Sequence, residues 1–242
     1  KISELARNYN FKVTDQLTLL PDSTILKEPW GLITISVACL RSGPSHSSEM
    51  VSQAVMGTPV RILKEKDDWL YIQTPDHYLS WISIYSVSKL DKSRMGQWRN
   101  SKRLIFPDVY GVVYTDTTAS EIVSDLVACS ILVKTGESGK FVRVSLPDQR
   151  TGYGMKECFL NFDTWKNNTV ITGEKLVSTA KKFLGLPYLW GGTSSKAVDC
   201  SGFIKSVWFM NGIILERDAS QQFRHGEALD PGVNLENLRS GD

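Results

Sequence analysis

The sequence predicts a protein of three units, in which two small β-barrels are followed by an α+β domain. The main observation is an internal repeat: a shift of 72 residues aligns 47–81 with 119–153 without a gap, at eight identities in 35 positions. Such self-similarity indicates a duplicated module. Each copy alternates short β-prone runs with polar turns, whereas the apolar spacing after about residue 170 becomes helical.

Composition places the chain among ordinary globular proteins. It has 242 residues, of which 41% are hydrophobic and 22% charged, and its formal net charge is +2. That balance excludes a dedicated nucleic-acid binder, which would carry a strongly basic face. No apolar run approaches the ~20 residues of a membrane span. Residues 1–10 lack the apolar core of a signal peptide, and since the chain lacks an initiator Met, we interpret it as a mature or trimmed product.

Nothing in the sequence indicates a cofactor or a metal. The four cysteines are widely spaced and form no CxxC pair, which argues against a zinc site. Two disulfides are possible in principle. Three of the cysteines lie in apolar, strand-like contexts, where a free Cys is usually a small hydrophobic residue. Cys200 has a different context.

The repeated module has the pattern of a small all-β fold. In the first copy, Val60–Leu63 and Trp69–Ile72 are β-prone runs, and Thr74–Asp76 makes the next turn. In the second copy, Phe141–Val144 alternates with the period of a half-buried strand. About five short strands with a Trp fit a small barrel. We therefore divide the chain into an N-terminal extension (1–30), a first barrel (31–90), a linker (91–108), a second barrel (109–166) and an α+β domain (170–242).

The α+β domain begins with two predicted helices. Gly173–Leu184 carries apolar residues on one face, with Thr172 as a cap and Gly185 as a stop. A second helix is predicted from Cys200 to about Met210, with Asp199 as its N-cap. A cysteine is therefore expected at the first position of a helix.

That position suits a nucleophile. The unpaired N–H groups and positive dipole end of a helix N-terminus favour a thiolate, and the same N–H groups can stabilise an oxyanion. The negative charge of Asp199 opposes a thiolate, so Asp199 is interpreted either as a cap or as the partner of a substrate ammonium. The alternative for Cys200 is a small buried residue near a helix start.

The flanking sequence resembles the NlpC/P60 cysteine peptidases. Pro187–Gly192, then Asp199–Phe203 with the sequence DCSGF, and then Ala219–Phe223 follow that family's pattern. The resemblance runs from about 173 to 242 and implies a papain-like α+β fold with Cys200 as the nucleophile.

The repeated module resembles the bacterial SH3-like (SH3b) domain. The resemblance rests on Glu49–Val60, on Asp68-Trp69 and on Tyr78–Trp81; the second copy keeps Gly152-Tyr153 but lacks the Trp residues. Paired SH3-like domains before a peptidase are similar to the γ-D-glutamyl-L-diamino acid endopeptidases. This similarity implies a hydrolase that cuts L-Ala-γ-D-Glu-diamino acid peptides derived from peptidoglycan. We further expect a monomer that is periplasmic or secreted, or alternatively a cytoplasmic recycling enzyme.

The resemblance also implies roles for several positions. Those matching the family's substrate pocket are Tyr188, Asp199 and Ser201, and Asp199 would hold the ammonium of L-Ala. From the first SH3-like domain, Glu49 and more weakly Tyr78 would close the pocket. Carboxylates around an ammonium select a free amine, and a wall there excludes longer stems. The alternative for Glu49 is a solvated loop charge. Glu121 occupies the equivalent position in the second copy, which argues partly for a structural role common to both repeats.

The catalytic base is where the chain departs from the family. The resemblance implies a His on a strand after the helix, and the stretch 238–242 resembles the opening of that strand. The three histidines are His46, His77 and His225, and none has that context. We therefore interpret the peptidase domain as incomplete at its C-terminus. The alternative function is an inactive SH3-like protein that binds a wall peptide or a partner and carries a vestigial peptidase unit.

Overall fold

The structure is a computed structural model that describes residues 9, 17–22, 27–167 and 170–242. The predicted extension 1–30 therefore lies mostly outside the described residues. The remainder forms two seven-stranded sheets and a C-terminal unit, residues 170–242, that contains helices and one short hairpin. This is the multidomain organisation predicted from the sequence.

The first barrel is built by seven antiparallel strands. Its strands are Trp30–Ile33 (β1), Val37–Arg41 (β2), Met50–Val55 (β3), Pro59–Lys66 (β4), Trp69–Gln73 (β5), Leu79–Ser83 (β6) and Val87–Leu90 (β7). Their order in the sheet is β3-β2-β6-β5-β4-β1-β7. Alternate residues point inward, so that Val60, Ile62, Leu70 and Ile72 are buried in one apolar cluster.

The second barrel repeats this topology. Its strands are Arg103–Ile105 (β8), Tyr110–Tyr114 (β9), Ile122–Val127 (β10), Ile131–Ser138 (β11), Phe141–Ser145 (β12), Thr151–Met155 (β13) and Leu160–Asn161 (β14). Their order is β10-β9-β13-β12-β11-β8-β14. From β3 to β6, every strand begins and ends 72 residues before its counterpart from β10 to β13, which confirms the predicted gapless repeat.

The segment 91–108 differs from the linker predicted for it. It contains the helix Lys92–Asn100 (α1), which begins at the cap Asp91, and strand β8, which pairs with β11 in the second sheet. The helix buries Met95 against Leu32 and Leu90. Trp98 is partly buried against the same cluster, but most of the remaining residues are polar and exposed, which is why the segment had the composition of a linker.

The C-terminal unit contains the two predicted helices. After Phe162–Asn167 (α2) come Gly173–Lys181 (α3), Thr193–Ser194 (β15), Ala197–Val198 (β16), Cys200–Met210 (α4) and Ala219–Gln222 (α5). Thr172 caps α3 and Asp199 caps α4, as predicted, although α3 ends three residues before Leu184. The two helices pack around the buried side chains of Leu176, Phe183 and Val207. Within the described part of the chain, no helix is both long and apolar enough to cross a membrane.

The hairpin β15–β16 joins the C-terminal unit to both barrels. Gln53 on β3 accepts hydrogen bonds from the Thr193 N–H (3.0 Å) and the Ser194 hydroxyl (2.9 Å). On the other side, the N–H of Ala128 donates to Ser195 Oγ at 3.1 Å. Because α4 follows this hairpin directly, its N-terminus is fixed relative to both barrels.

Candidate active site

Cys200 lies where a helix begins, and its side chain is exposed. It is the first residue of α4, and it is a free cysteine. The exposure rules out the alternative that Cys200 is a buried core residue. Asp199 Oδ1 accepts the N–H of Gly202 at 2.7 Å and so caps the helix. Within the described residues, the N–H groups of Cys200 and Ser201 have no acceptor, so both can donate to an oxyanion beside the sulfur.

The carboxylate of Asp199 is buried and fully engaged. Its Oδ2 accepts from the Gly191 N–H at 3.0 Å, and the Arg217 guanidinium binds both carboxylate oxygens. Burial acts to raise the pKa of Asp199, but the hydrogen bonds from Arg217 and Gly202 outweigh it and hold the pKa below its ordinary value. The Arg217 charge compensates the carboxylate beside the thiol. Of the two interpretations of Asp199, the structure therefore favours the cap.

Arg217 also holds the residue on the other side of the nucleophile. Its Nη1 donates to Ser201 Oγ at 2.8 Å, and Gln222 Nε2 donates to the Ser201 carbonyl at 3.1 Å. Gly202 lies so close to the Gly192 carbonyl that a Cβ would stand 1.9 Å from that oxygen. These contacts immobilise the first turn of α4, and with it the position of the Cys200 sulfur.

The first barrel forms one edge of the site. Glu49 Oε1 accepts a hydrogen bond from the indole N–H of Trp190 at 2.8 Å. The next residue, Gly191, adopts a φ of +80°, and a Cβ there would lie 2.5 Å from the Met50 carbonyl. The chain just before the hairpin therefore passes directly against β3, and only glycine permits that approach.

Tyr78 connects the barrel to the far side of the site. Its pKa is raised, first by burial and then by the negative charge of Asp218, with smaller contributions from Asp76 and Glu49. Arg217 acts in the opposite direction. The phenol of Tyr78 therefore lies within electrostatic range of carboxylates from both units and of the arginine that holds Ser201.

Two segments of the chain match known protein families. Residues 185–242 match the model of the NlpC/P60 family, and residues 40–86 match that of the bacterial dipeptidyl-peptidase Sh3 domain. The predicted resemblance is confirmed. The fold also resembles the crystal structure of an NlpC/P60 family protein from Bacillus cereus, with a TM-score of 0.73 over 88% of this chain and 81% of that one, at 21% identity.

Two curated relatives are gamma-D-glutamyl-L-lysine dipeptidyl-peptidases. The chain is 26% identical to the one from Bacillus cereus over 210 residues, which cover 82% of this chain and 60% of the relative. It is 28% identical to the one from Bacillus subtilis over 211 residues, covering 84% and 66%. The chain thus spans about two thirds or less of the length of these relatives.

The site residues predicted from the sequence come from the C-terminal unit and from the first barrel. Cys200, Asp199 and Ser201 are consecutive, and Glu49 and Tyr78 lie on the edge contributed by the first barrel. Tyr188 is 65% exposed and forms a backbone bridge to Val198, two residues before Cys200. Its side chain is therefore at the surface, on a segment whose backbone is bridged to the chain just before the nucleophile.

Sequence reasoning missed three residues of the site: Arg217, Asp218 and Trp190. Arg217 and Asp218 directly precede the Ala219–Phe223 motif, which was the available signal. Neither residue carries a spacing that reveals a partner at Asp199 or at Tyr78. The exposed Trp190 belongs to the Pro187–Gly192 motif, but its hydrogen bond to Glu49 spans 141 residues.

Two of the histidines contact other side chains, and the third lies in a turn. His225 Nε2 is 2.8 Å from Glu216 Oε1, His46 packs edge-on against Trp69, and His77 adopts a φ of +63° in the turn before β6. Across the described ranges, no hydrogen bond or ion pair joins a histidine to Cys200. The same ranges contain no group of three or more His, Cys, Asp or Glu side chains able to hold a metal ion.

Proposed function

We propose that this protein is a cysteine peptidase that hydrolyses the bond between γ-D-Glu and the diamino acid in short cell-wall peptides with a free N-terminal L-Ala. The names of the relatives from Bacillus cereus and Bacillus subtilis support this substrate. The match of residues 185–242 to the NlpC/P60 family supports the reaction class. We further propose that the protein acts in the periplasm or outside the cell, where wall peptides occur.

One observation carries the proposal. Cys200 is exposed at a helix N-terminus, and Arg217 donates hydrogen bonds to its two neighbours, Asp199 and Ser201. The residue after Arg217, Asp218, carries a negative charge that raises the pKa of Tyr78 in the first barrel. We therefore propose that the peptide binds in a slot between Cys200 and the first barrel, with one wall from residues 185–242 and the other from the barrel.

The chemistry follows from this placement. The Cys200 thiolate attacks the γ-carbonyl carbon of D-Glu, and the carbonyl π electrons move onto oxygen, which the N–H groups of Cys200 and Ser201 stabilise. Collapse of this intermediate breaks the C–N bond, and the amine of the diamino acid leaves with a proton from a general acid. Water then hydrolyses the thioester, releases L-Ala-γ-D-Glu and restores the thiol. No described residue is assigned as the acid and base.

Selection of a free amine would come from two carboxylates, Glu49 of the first barrel and Asp218 of the C-terminal unit. The charge of Asp199 is already neutralised by Arg217. Glu49, by contrast, is exposed, and the charge of Asp218 raises the pKa of Tyr78. Two carboxylates whose charges both raise the pKa of Tyr78 favour an ammonium, and an uncharged acetamide in its place leaves them without a cation.

Replacement of the nucleophile gives the first test. In the full-length protein, Cys200→Ala is expected to reduce release of lysine from L-Ala-γ-D-Glu-L-Lys by roughly 10⁴-fold or more, as for other covalent nucleophiles. Cys158→Ala is the matched control, because Cys158 is also free and exposed but lies in the second barrel. Binding of the peptide without cleavage by the wild type would instead support the inactive binding protein.

The repeat supplies a control for the amine-selecting wall. Glu49→Gln is expected to lower kcat/KM for the free peptide by about tenfold, since it removes a charge-assisted contact. Glu121→Gln changes the equivalent position of the second barrel and is expected to have no effect. Equal cleavage of the N-acetylated and free peptides by the wild type would refute the proposed ammonium contact.

A further inference from the structure

We propose that the ion pair between Lys205 and Asp76 determines specificity by setting the width of the slot between the first barrel and Cys200. It would do so by fixing the turn that carries Tyr78 against the helix that carries the nucleophile. This inference rests on the proposed function, because the slot matters only if peptides bind there.

The ion pair is a direct bridge between the two walls. Lys205 Nζ donates to Asp76 Oδ2 at 2.7 Å and to the Leu215 carbonyl at 2.8 Å. The side chains of Lys205 and Asp76 are only 16% and 5% exposed. Lys205 lies on α4, five residues after Cys200, and its second acceptor, Leu215, is two residues before Arg217. The ammonium therefore also ties the loop that holds Ser201.

On the barrel side, Asp76 is coupled to the backbone of Tyr78. Its Oδ1 accepts from the Thr74 hydroxyl at 2.5 Å, while the N–H of Thr74 donates to the Tyr78 carbonyl at 3.0 Å and closes the turn. The two oxygens of one carboxylate thus face different units. Oδ1 binds Thr74 within the turn, and Oδ2 binds Lys205 on α4.

Each charge in the bridge depends on its partner. Burial lowers the pKa of Lys205, the Asp76 carboxylate opposes that shift, and Arg217 and Glu216 contribute smaller effects of opposite sign. Loss of either partner would leave a buried charge uncompensated. A cavity lined by Ala54, Asp76, Lys205 and Phe209, among others, lies at the same junction. Apolar packing is therefore incomplete there, and the polar bridge holds the two walls together.

The second barrel shows that the turn itself needs no such bridge. The equivalent turn is closed by the Leu146 N–H donating to the Arg150 carbonyl at 2.8 Å. Its carboxylate, Asp148, accepts from the N–H (3.1 Å) and Nε (2.7 Å) of Arg150, within the turn. The same backbone thus forms with a local partner. Asp76 instead binds a distant partner, Lys205, and it does so where the barrel borders the helix that carries the nucleophile.

The test is a ratio of two activities. The double variant Asp76→Asn/Lys205→Met removes both charges, so that neither remains buried alone. We expect the preference for free over N-acetylated L-Ala-γ-D-Glu-L-Lys, measured as the ratio of kcat/KM values in the full-length enzyme, to fall at least tenfold. Asp148→Asn is the matched control and should leave the ratio at its wild-type value. The alkylation rate of Cys200 should be unchanged in both variants.

The outcomes separate this inference from the function on which it rests. If the double variant loses both activities in parallel and keeps its ratio, the ion pair is only a structural brace and the inference is wrong. If the wild type cleaves neither peptide, the proposed function fails first, and the inference fails with it. The thermal unfolding transition of each variant shows whether a lost activity reflects lost folding.

Discussion

The two barrels share a backbone frame but differ in what they contact. Their strands follow the same order, and each sheet has a bulge at equivalent positions, after Ile62 in the first and after Lys134 in the second. The left-handed residue His77 in the first barrel likewise has a left-handed counterpart, Gln149. Backbone features therefore persist at a constant spacing of 72 residues although most side chains have changed.

The differences are concentrated at the border with the C-terminal unit. In the first barrel, Glu49 binds Trp190 and Asp76 binds Lys205, whereas Asp148 in the second barrel stays within its own turn. A duplicated fold can thus supply a rigid frame twice while a few side chains make only one copy part of a site.

The largest expected loss of stability concerns the left-handed turn between β3 and β4. Gly57 adopts a φ of +80°, and a Cβ there would lie 2.1 Å from the Ile131 carbonyl of the second barrel. Gly57→Ala is therefore expected to lower the free energy of unfolding by about 3 kcal/mol, from backbone strain and a steric clash together.

Gly139→Ala separates these two causes. Gly139 has a φ of +55°, but its Cβ would meet nothing within 4 Å, so only the conformational cost of about 1 kcal/mol is expected. Chemical denaturation of both variants gives the comparison. Equal losses of unfolding free energy would mean that the close approach of the two barrels at Gly57 adds no steric cost to the substitution.

A smaller effect tests how each barrel holds the C-terminal unit. Gln53→Ala leaves the Thr193 N–H and the Ser194 hydroxyl, both in a buried hairpin, without an acceptor, at a cost of about 2 kcal/mol. The equivalent residue of the second barrel, Asp125, pairs with Lys196, which is 49% exposed. Asp125→Ala is therefore expected to cost less than about 1 kcal/mol by denaturation. The reverse ranking would show that the second barrel is the main support of the hairpin.

Much of this organisation could be predicted from the sequence because the signals are local. A gapless repeat preserves strand lengths and turns, and Thr172 and Asp199 are side chains whose capping partners lie three residues away. The helix N-terminal placement of Cys200 follows from the same local rule.

The remainder depends on contacts between distant segments. The pairing of Arg217 with Asp199 spans 18 residues, and that of Lys205 with Asp76 spans 129. No periodicity encodes either contact. The helix α1 was missed for a related reason: a single side chain, Met95, is buried within it, so its sequence lacks the apolar face that identifies a helix.

The smallest expected effect concerns surface ion pairs at one equivalent position of the two barrels. Glu137 pairs with Lys134 and Lys156, whose hydrogen bonds and charges lower its pKa to about 2 from 4.5. A carboxyl whose pKa is lowered on folding stabilises the protein above its unfolded pKa, and this contribution disappears as the pH falls through the folded value. Glu137→Gln should therefore lower the melting temperature slightly near neutral pH, with the difference shrinking between about pH 4.5 and about pH 2.

The first barrel provides the comparison for that variant. Glu65, at the equivalent position, pairs with a single lysine, Lys89, among the residues that the structure describes, so Glu65→Gln is expected to shift the melting temperature less than Glu137→Gln does. Because these pairs are at the surface, both shifts should also diminish at high ionic strength. A shift for Glu137→Gln that is constant with pH would mean that the side chain acts through packing, and that the two barrels do not differ here in their electrostatics.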